Sequence, residues 1–219
     1  MYVPLIIRVF AETPWLYAPP GQPIPGGEPC EFQTSDGLTL RGTYLPTAAA
    51  ERIGVVAFCH EMTGDRWNAS KYVEDLHLQG FDILTFDFRN HGASDAVPDY
   101  QPMPWITEYE WADVRAAVEY LCSRADASPY GVGLIGVSKG ATAALCAAAG
   151  DPRIRAVVTD GAFPIDGMQR HYIRRYLQIY TRFSTVFAHL PDVCLISFCK
   201  WCKFIVGQRR HCRFLNVEQ

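Results

Sequence analysis

The stretch Gly131-Val132-Gly133-Leu134-Ile135-Gly136-Val137-Ser138-Lys139-Gly140 decides how the rest of the chain is read. An apolar run closes in G-V-S-K-G, and the helix-forming run Ala141 to Ala149 follows at once. The order reads as strand, sharp turn, helix, with Ser138 at the apex, the pattern that lifts a nucleophilic serine out of a sheet. The small residues have a steric reason. Such a turn holds the serine in strained φ/ψ, and a Cβ at Gly136 or Gly140 would collide with the neighbouring strand or helix. The amide of Lys139 is then expected at a helix N-terminus, facing developing negative charge.

Two plainer readings compete. Gly131, Gly133 and Gly136 also spell G-x-G-x-x-G, the dinucleotide fingerprint, but that fingerprint must follow a strand, and here the glycines lie inside one. Ala125 to Tyr130, just before, is a polar, Pro-containing turn. The other reading is an ordinary tight turn with an incidental serine, and only the flanking chain argues against it.

The flanks alternate strands with helices. Residues 14–29 hold Pro14, Pro19, Pro20, Pro23 and Pro25, so they form a lead-in without regular structure. Cys30–Thr34 and Leu38–Leu45 make a hairpin around Ser35-Asp36-Gly37. Ile53–Cys59 is continuously apolar, as expected of a strand buried on both faces, and ends in His60-Glu61-Met62-Thr63-Gly64-Asp65. A helix over Ala69–Leu78 buries Tyr72, Val73 and Leu76. Phe81–Phe88 is the next buried strand, running into Arg89-Asn90-His91-Gly92-Ala93-Ser94. Trp111, Val114, Val118 and Leu121 recur at helical spacing within Thr107–Arg124. After the Ser138 strand and its helix, Ile154–Thr159 is one more apolar run, ending in Asp160-Gly161. This is an α/β class chain, a mostly parallel sheet with helices on both faces. Sites in such sheets form at the carboxyl ends of strands, where Ser138, His60, Arg89 to Ser94 and Asp160 fall.

Composition sets the bounds. A chain of 219 residues, 49% hydrophobic and 20% charged, is globular and long enough for one domain with a real core. A net charge of −3 gives no support to nucleic-acid binding. Eight cysteines are many, but Cys59 and Cys146 fall in a core strand and helix, which points to a reducing, cytoplasmic setting. Met1 to Phe10 is apolar but too short to span a bilayer, so no transmembrane segment is expected.

With G-V-S-K-G, the strand ending in F-C-H-E-M, and D-F-R-N-H-G-A-S in place, the chain resembles an α/β-hydrolase of the serine-hydrolase group. It is similar in style to serine-aminopeptidase and monoacylglycerol-lipase relatives, from about Cys30 to Phe163. The resemblance implies Ser138 as nucleophile and the backbone N–H groups of Lys139 and Met62 as oxyanion hole. It implies no cofactor and a small-molecule ester or amide substrate. His60 and His91 match loop-shaping histidines. One departure stands out: the family usually has Gly where this chain has Glu61, and a carboxylate there opposes the oxyanion unless it points away. The implied organisation is a lead-in at 1–29, a hydrolase core at 30–168, and a cap-like region with a Cys-rich tail at 169–219. Tyr172, Ile173, Tyr176, Tyr180, Phe183 and Phe187 form an aromatic stripe there, read equally as core or as wall of an acyl pocket.

A serine nucleophile needs an acid and a histidine later in the chain. Relatives place them after the seventh and eighth strands, and no strand-helix units that could supply these follow Asp160. The chain reads as truncated, with an incomplete fold. Asp160 is left as acid, and His171, His189 and His211 as weak candidates for the base. Lys139 is expected to run along the helix start, a poor substitute. Cys194, Cys199, Cys202 and Cys212 superficially have metal-ligand spacing, but bulky apolar residues between them favour a cysteine-rich helix. The functional expectation is a serine hydrolase acting through an acyl-serine, crippled here. The alternative is a non-catalytic fragment or pseudoenzyme that binds a small apolar ligand or partner. The sixth strand should be an apolar open edge, unless the tail from Pro191 to Val206 covers it.

Overall fold

The computed structural model describes residues 21–180 and 191–215, together with Pro4 and Ile7. Most of the apolar start, the side chain of Tyr180, and Phe183, Phe187 and His189 lie outside the described residues.

Among the described residues six strands form one sheet: β1 (Glu28–Gln33), β2 (Thr39–Leu45), β3 (Gly54–Cys59), β4 (Phe81–Phe86), β5 (Val132–Val137) and β6 (Ile154–Asp160), in the order β1-β2-β4-β3-β5-β6. The first two are the expected hairpin, and Gly37 turns it with φ of 86°, a left-handed conformation open to glycine. β2 runs antiparallel to β4, while β4, β3, β5 and β6 are mutually parallel. All six residues of β3 are buried, as its unbroken apolar run requires in the middle of a sheet covered on both faces.

The described residues form five helices, α1 (Ser70–Leu78), α2 (Glu108–Ser123), α3 (Lys139–Ala148), α4 (Ile165–Tyr180) and α5 (Asp192–Arg210), with a short 3₁₀ turn at Arg66–Ala69; α1, α2 and α3 lie against the sheet, and α4 and α5 pack on each other. Val73 of α1 packs with Val56, Phe58, Ile83 and Ile135 in a smaller core on one face. The larger core joins Val114, Val118 and Leu121 of α2 to Ala143, Ala144 and Ala147 of α3 on the other. Tyr72, expected in the core, stays 37% exposed and stacks over Phe58 at 5.5 Å between ring centres.

The tail does not cover β6. Leu195, Cys199, Cys202 and Val206 recur every three or four residues, so α5 buries one stripe, in the same core as Ile173 and Leu177 of α4. Ion pairs Arg174–Asp192 (2.6 Å) and Lys203–Asp166 tie the two helices. The chain after α5 then returns to the start of α2: Phe214 bridges Thr107, and Glu108 N–H donates to the Arg213 carbonyl at 2.9 Å. β6 is left as the sheet edge, with Val158 63% exposed. Of the aromatic stripe, Ile173 and Tyr176 turn inward and Tyr172 faces out. No helix among the described residues is long and apolar enough to cross a membrane.

Candidate active site

Ser138 stands where β5 ends and α3 begins, with φ 52° and ψ −115°. A non-glycine residue in that region is strained, and the strain is held from both sides. Its N–H donates to the Asp160 carbonyl at the end of β6 (2.7 Å), and its own carbonyl accepts from Thr142 N–H in α3 (3.2 Å). The flanking glycines let the turn close. A Cβ on Gly136 would lie 2.5 Å from the Cα of Ala141, and one on Gly140 would run into the carbonyl oxygens of Cys59 and His60. The first turn of α3 therefore packs directly on the loop that leaves β3.

That loop carries Met62. Its carbonyl faces His91 Nε2 at 2.7 Å, and its N–H donates to no group among the described residues. The Lys139 N–H, first in α3, has no partner within its helix either, as any first-turn amide lacks one. The Lys139 amide thus follows Ser138 directly, and the Met62 amide lies on the loop whose first residues, Cys59 and His60, pack against Gly140.

Both nearby histidines are occupied by backbone. His60 Nε2 accepts from Phe88 N–H (3.1 Å), which leaves the proton on Nδ1 to donate to the Glu61 carbonyl (2.7 Å). Burial, and then the neighbouring His91, push the His60 pKa down to about 3, so the ring is neutral. His91 spans the carbonyls of Arg89 (2.9 Å) and Met62. Both act as loop staples. Glu61 is turned aside: its Oε1 accepts from Asn68 Nδ2 at 2.8 Å, and its carboxyl folds over Gly64. Burial first, then the charges of Asp160 and Glu61, raise the pKa of the Tyr72 hydroxyl.

Lys139 departs from expectation. Its side chain leaves the helix start for the interior, is 3% exposed, and places Nζ 2.6 Å from Glu110 Oε1 on α2. Glu110 also receives Tyr100 Oη at 2.5 Å, Thr107 N–H at 2.8 Å and Thr107 Oγ1 at 2.7 Å. Burial alone would raise the Glu110 pKa; the Lys139 charge and these hydrogen bonds outweigh it and hold the carboxyl below its ordinary value. Thr107-x-x-Glu110 is a capping-box pattern that could have flagged Glu110 as a cap, though not its Lys139 partner.

The remaining candidates are scattered. Asp160 gives Ser138 its backbone carbonyl, while its carboxylate is exposed and makes no hydrogen bond among the described residues. His171 is exposed on α4 beside the Tyr172 ring, and Asp192 pairs with Arg174. His211 ends α5 in a left-handed conformation, with its carbonyl accepting from Tyr109 Oη (2.7 Å). Among the described residues no histidine ring hydrogen-bonds Ser138. Cys199 and Cys202 are buried, and burial pushes their thiols up to about 11 and about 12. Among the described residues no group of three His, Cys, Asp or Glu side chains could hold a metal ion.

Comparison with known proteins bears on the fold. A polyketide transferase of Penicillium crustosum is 32% identical over 159 residues, covering 67% of this chain and 51% of its own length. A thiohydrolase of Aspergillus aculeatus is 32% identical over 136 residues, covering 59% of this chain and 39% of its own. The chain spans about half the length, or less, of the curated relatives it matches. Among solved structures, the Pyrococcus furiosus esterase Pf2001 superposes with a TM-score of 0.58 at 26% identity, covering 84% of this chain and 67% of that one. The sequence pattern of the alpha/beta hydrolase fold matches residues 54–197, and the chain belongs to that family.

Proposed function

We propose that this chain carries the nucleophile and oxyanion hole of a serine hydrolase acting on ester or amide bonds. The observation that carries the reading is the backbone of Ser138, φ 52° and ψ −115°, held at the carboxyl end of a parallel strand with the unspent Lys139 amide next in the chain. Ser138 Oγ attacks the acyl carbonyl as its proton passes to water, which returns a proton to the leaving group on collapse; the carbonyl oxygen takes the negative charge, and the N–H groups of Lys139 and Met62 stabilise it. Collapse expels the alcohol, amine or thiol and leaves an acyl-serine. Names of relatives support acyl transfer: an esterase, a thiohydrolase and a polyketide transferase all move an acyl group. We read residues 30–168 as the hydrolase core and 169–219 as a cap beside the acyl site. Eight free thiols fit a reducing cytosol.

A second reading rests on a specific observation. The described residues offer Ser138 no base, and Lys139 has its ammonium committed to Glu110. A chain that binds or is acylated once, without turnover, is consistent with that. One experiment separates the readings. A fluorophosphonate should label the wild type at Ser138 and leave Ser138→Ala unlabelled. Sustained release of p-nitrophenol or free thiol from acyl esters and thioesters then marks turnover, and a single burst marks acylation alone. A folded wild type that resists the probe overturns the nucleophile assignment.

A further inference from the structure

The Lys139–Glu110 pair has no role in the reaction as written, yet both side chains are nearly inaccessible, at 4% and 3% exposure. Stability is a poor reason for it. Removing two charges from water costs about what their attraction returns, and well-packed apolar residues often do as well or better. Its placement is more telling. Lys139 is the first residue of α3, immediately after the strained serine, and its N–H is one of the two unspent amides. Glu110 lies in the first turn of α2, fixed by Thr107 and Tyr100. The first turn of α2 is itself held by the returning segment, where Glu108 N–H bonds the Arg213 carbonyl and Leu215 N–H bonds the Ile106 carbonyl.

We propose that Glu110 is a positioning residue: it anchors the Lys139 side chain so that the Lys139 amide keeps its aim at the oxyanion. The proposal rests on the Ser138 reading above. With Nζ tethered 2.6 Å from a carboxylate in a neighbouring helix, the first residue of α3 is restrained at its side chain as well as along its backbone. The carboxylate neutralises the ammonium in place, so the pair supplies direction rather than net charge. An amide aimed slightly wrong loses part of the stabilisation that full loss of an oxyanion donor forfeits, about 10²–10³ in rate.

The test compares wild type, Glu110→Gln, Lys139→Met and the double variant. Saturation kinetics with a fluorophosphonate give a maximal labelling rate and an apparent affinity, and urea unfolding gives stability. Glu110→Gln should lower the maximal rate about tenfold, a fraction of a full donor's worth, with affinity unchanged. The double variant contains no buried unpaired charge and should regain stability while its labelling stays slow. If Glu110→Gln fails to fold, the double variant alone carries the comparison. Wild-type labelling rates in any folded variant, or a rate that recovers in step with stability, would overturn the positioning role and leave the nucleophile assignment standing. A folded wild type that is not labelled overturns both.

Discussion

Acid should loosen this protein through one buried imidazole. His60 is 1% exposed and neutral, accepting from Phe88 N–H and donating to the Glu61 carbonyl. In the unfolded chain its pKa is 6.5, and in the fold it is about 3. A base whose folded pKa is depressed contributes stability above its unfolded value and loses it as pH falls, here from about 6.5 down towards 3. The whole window amounts to roughly 5 kcal/mol, and the part between pH 7 and pH 4 to roughly 3 kcal/mol. Asp113 works in the opposite sense. Burial, opposed by Arg89, raises its pKa to about 6, so its contribution grows as pH falls through that value towards 3.8. Asp36, Asp95, Asp126 and Asp151 all have lowered pKa values, so what they contribute is lost below about 4.

The clean measurement is therefore a difference. Urea unfolding of wild type and of His60→Gln, an uncharged side chain that can still accept and donate, is followed from pH 7 to pH 4. Wild type should lose roughly 3 kcal/mol more than the variant over that range, because the aspartate contributions are common to both. A difference that stays constant with pH would refute the assignment of His60 as a buried neutral staple.

Three further outcomes follow from the packing. Gly140→Ala should cost roughly 1–3 kcal/mol by urea midpoint, because its Cβ meets the backbone of Cys59 and His60, whereas Gly150→Ala, with open space around it, should be neutral or slightly stabilising. Arg89→Met should cost roughly 3–5 kcal/mol, since it strands the buried Asp113 carboxylate now 2.6 Å from Nη2; a loss under 1 kcal/mol in the same assay would contradict the pairing. Hydrogen exchange along β6 should alternate, slow for amides bonded to β5 and fast for those facing outward, and uniform protection would mean that something covers this edge.

The parts of the fold legible in the sequence are those written in local pattern. Gly136 and Gly140 announce a turn that tolerates no Cβ, Asp36-Gly37 a hairpin, and the unbroken run of β3 a central strand. Lys139–Glu110 joins residues 29 positions apart on different helices, and neither position carries a local mark of the other. Arg89 is similar. It looks like an exposed loop cation, yet it is held by Asp36 from the hairpin turn and Asp113 from α2, partners that only the sheet order brings together. Glu61 is unfavourable by residue type and harmless by orientation, which depends on Asn68 seven residues on. The tail presents an apolar stripe to sequence analysis, but whether β6 or α4 receives it depends on which surface the preceding helix has already offered.

The loop after β4 shows how much of this site is scaffolding. Asp87 accepts from Arg66 N–H at 2.8 Å and Ala93 N–H at 2.9 Å, and Gly92, with φ of 49°, sits so close to that carboxylate that a Cβ would collide with it. Arg89 pins the same loop to α2, and Asn90 ties it to the carbonyls of Val97 and Tyr100. From this rigid base His91 reaches the Met62 carbonyl, and Phe88 N–H reaches His60. These two contacts occupy the His60 ring and the Met62 carbonyl, while the Met62 N–H has no partner among the described residues. On the other side, the glycines of G-V-S-K-G and the Glu110 anchor fix Lys139 and leave its N–H unspent. D-F-R-N-H-G-A-S therefore needs no reactive side chain to matter to the chemistry. Its residues anchor their own backbone and the neighbouring loop that carries Met62, which is a structural task.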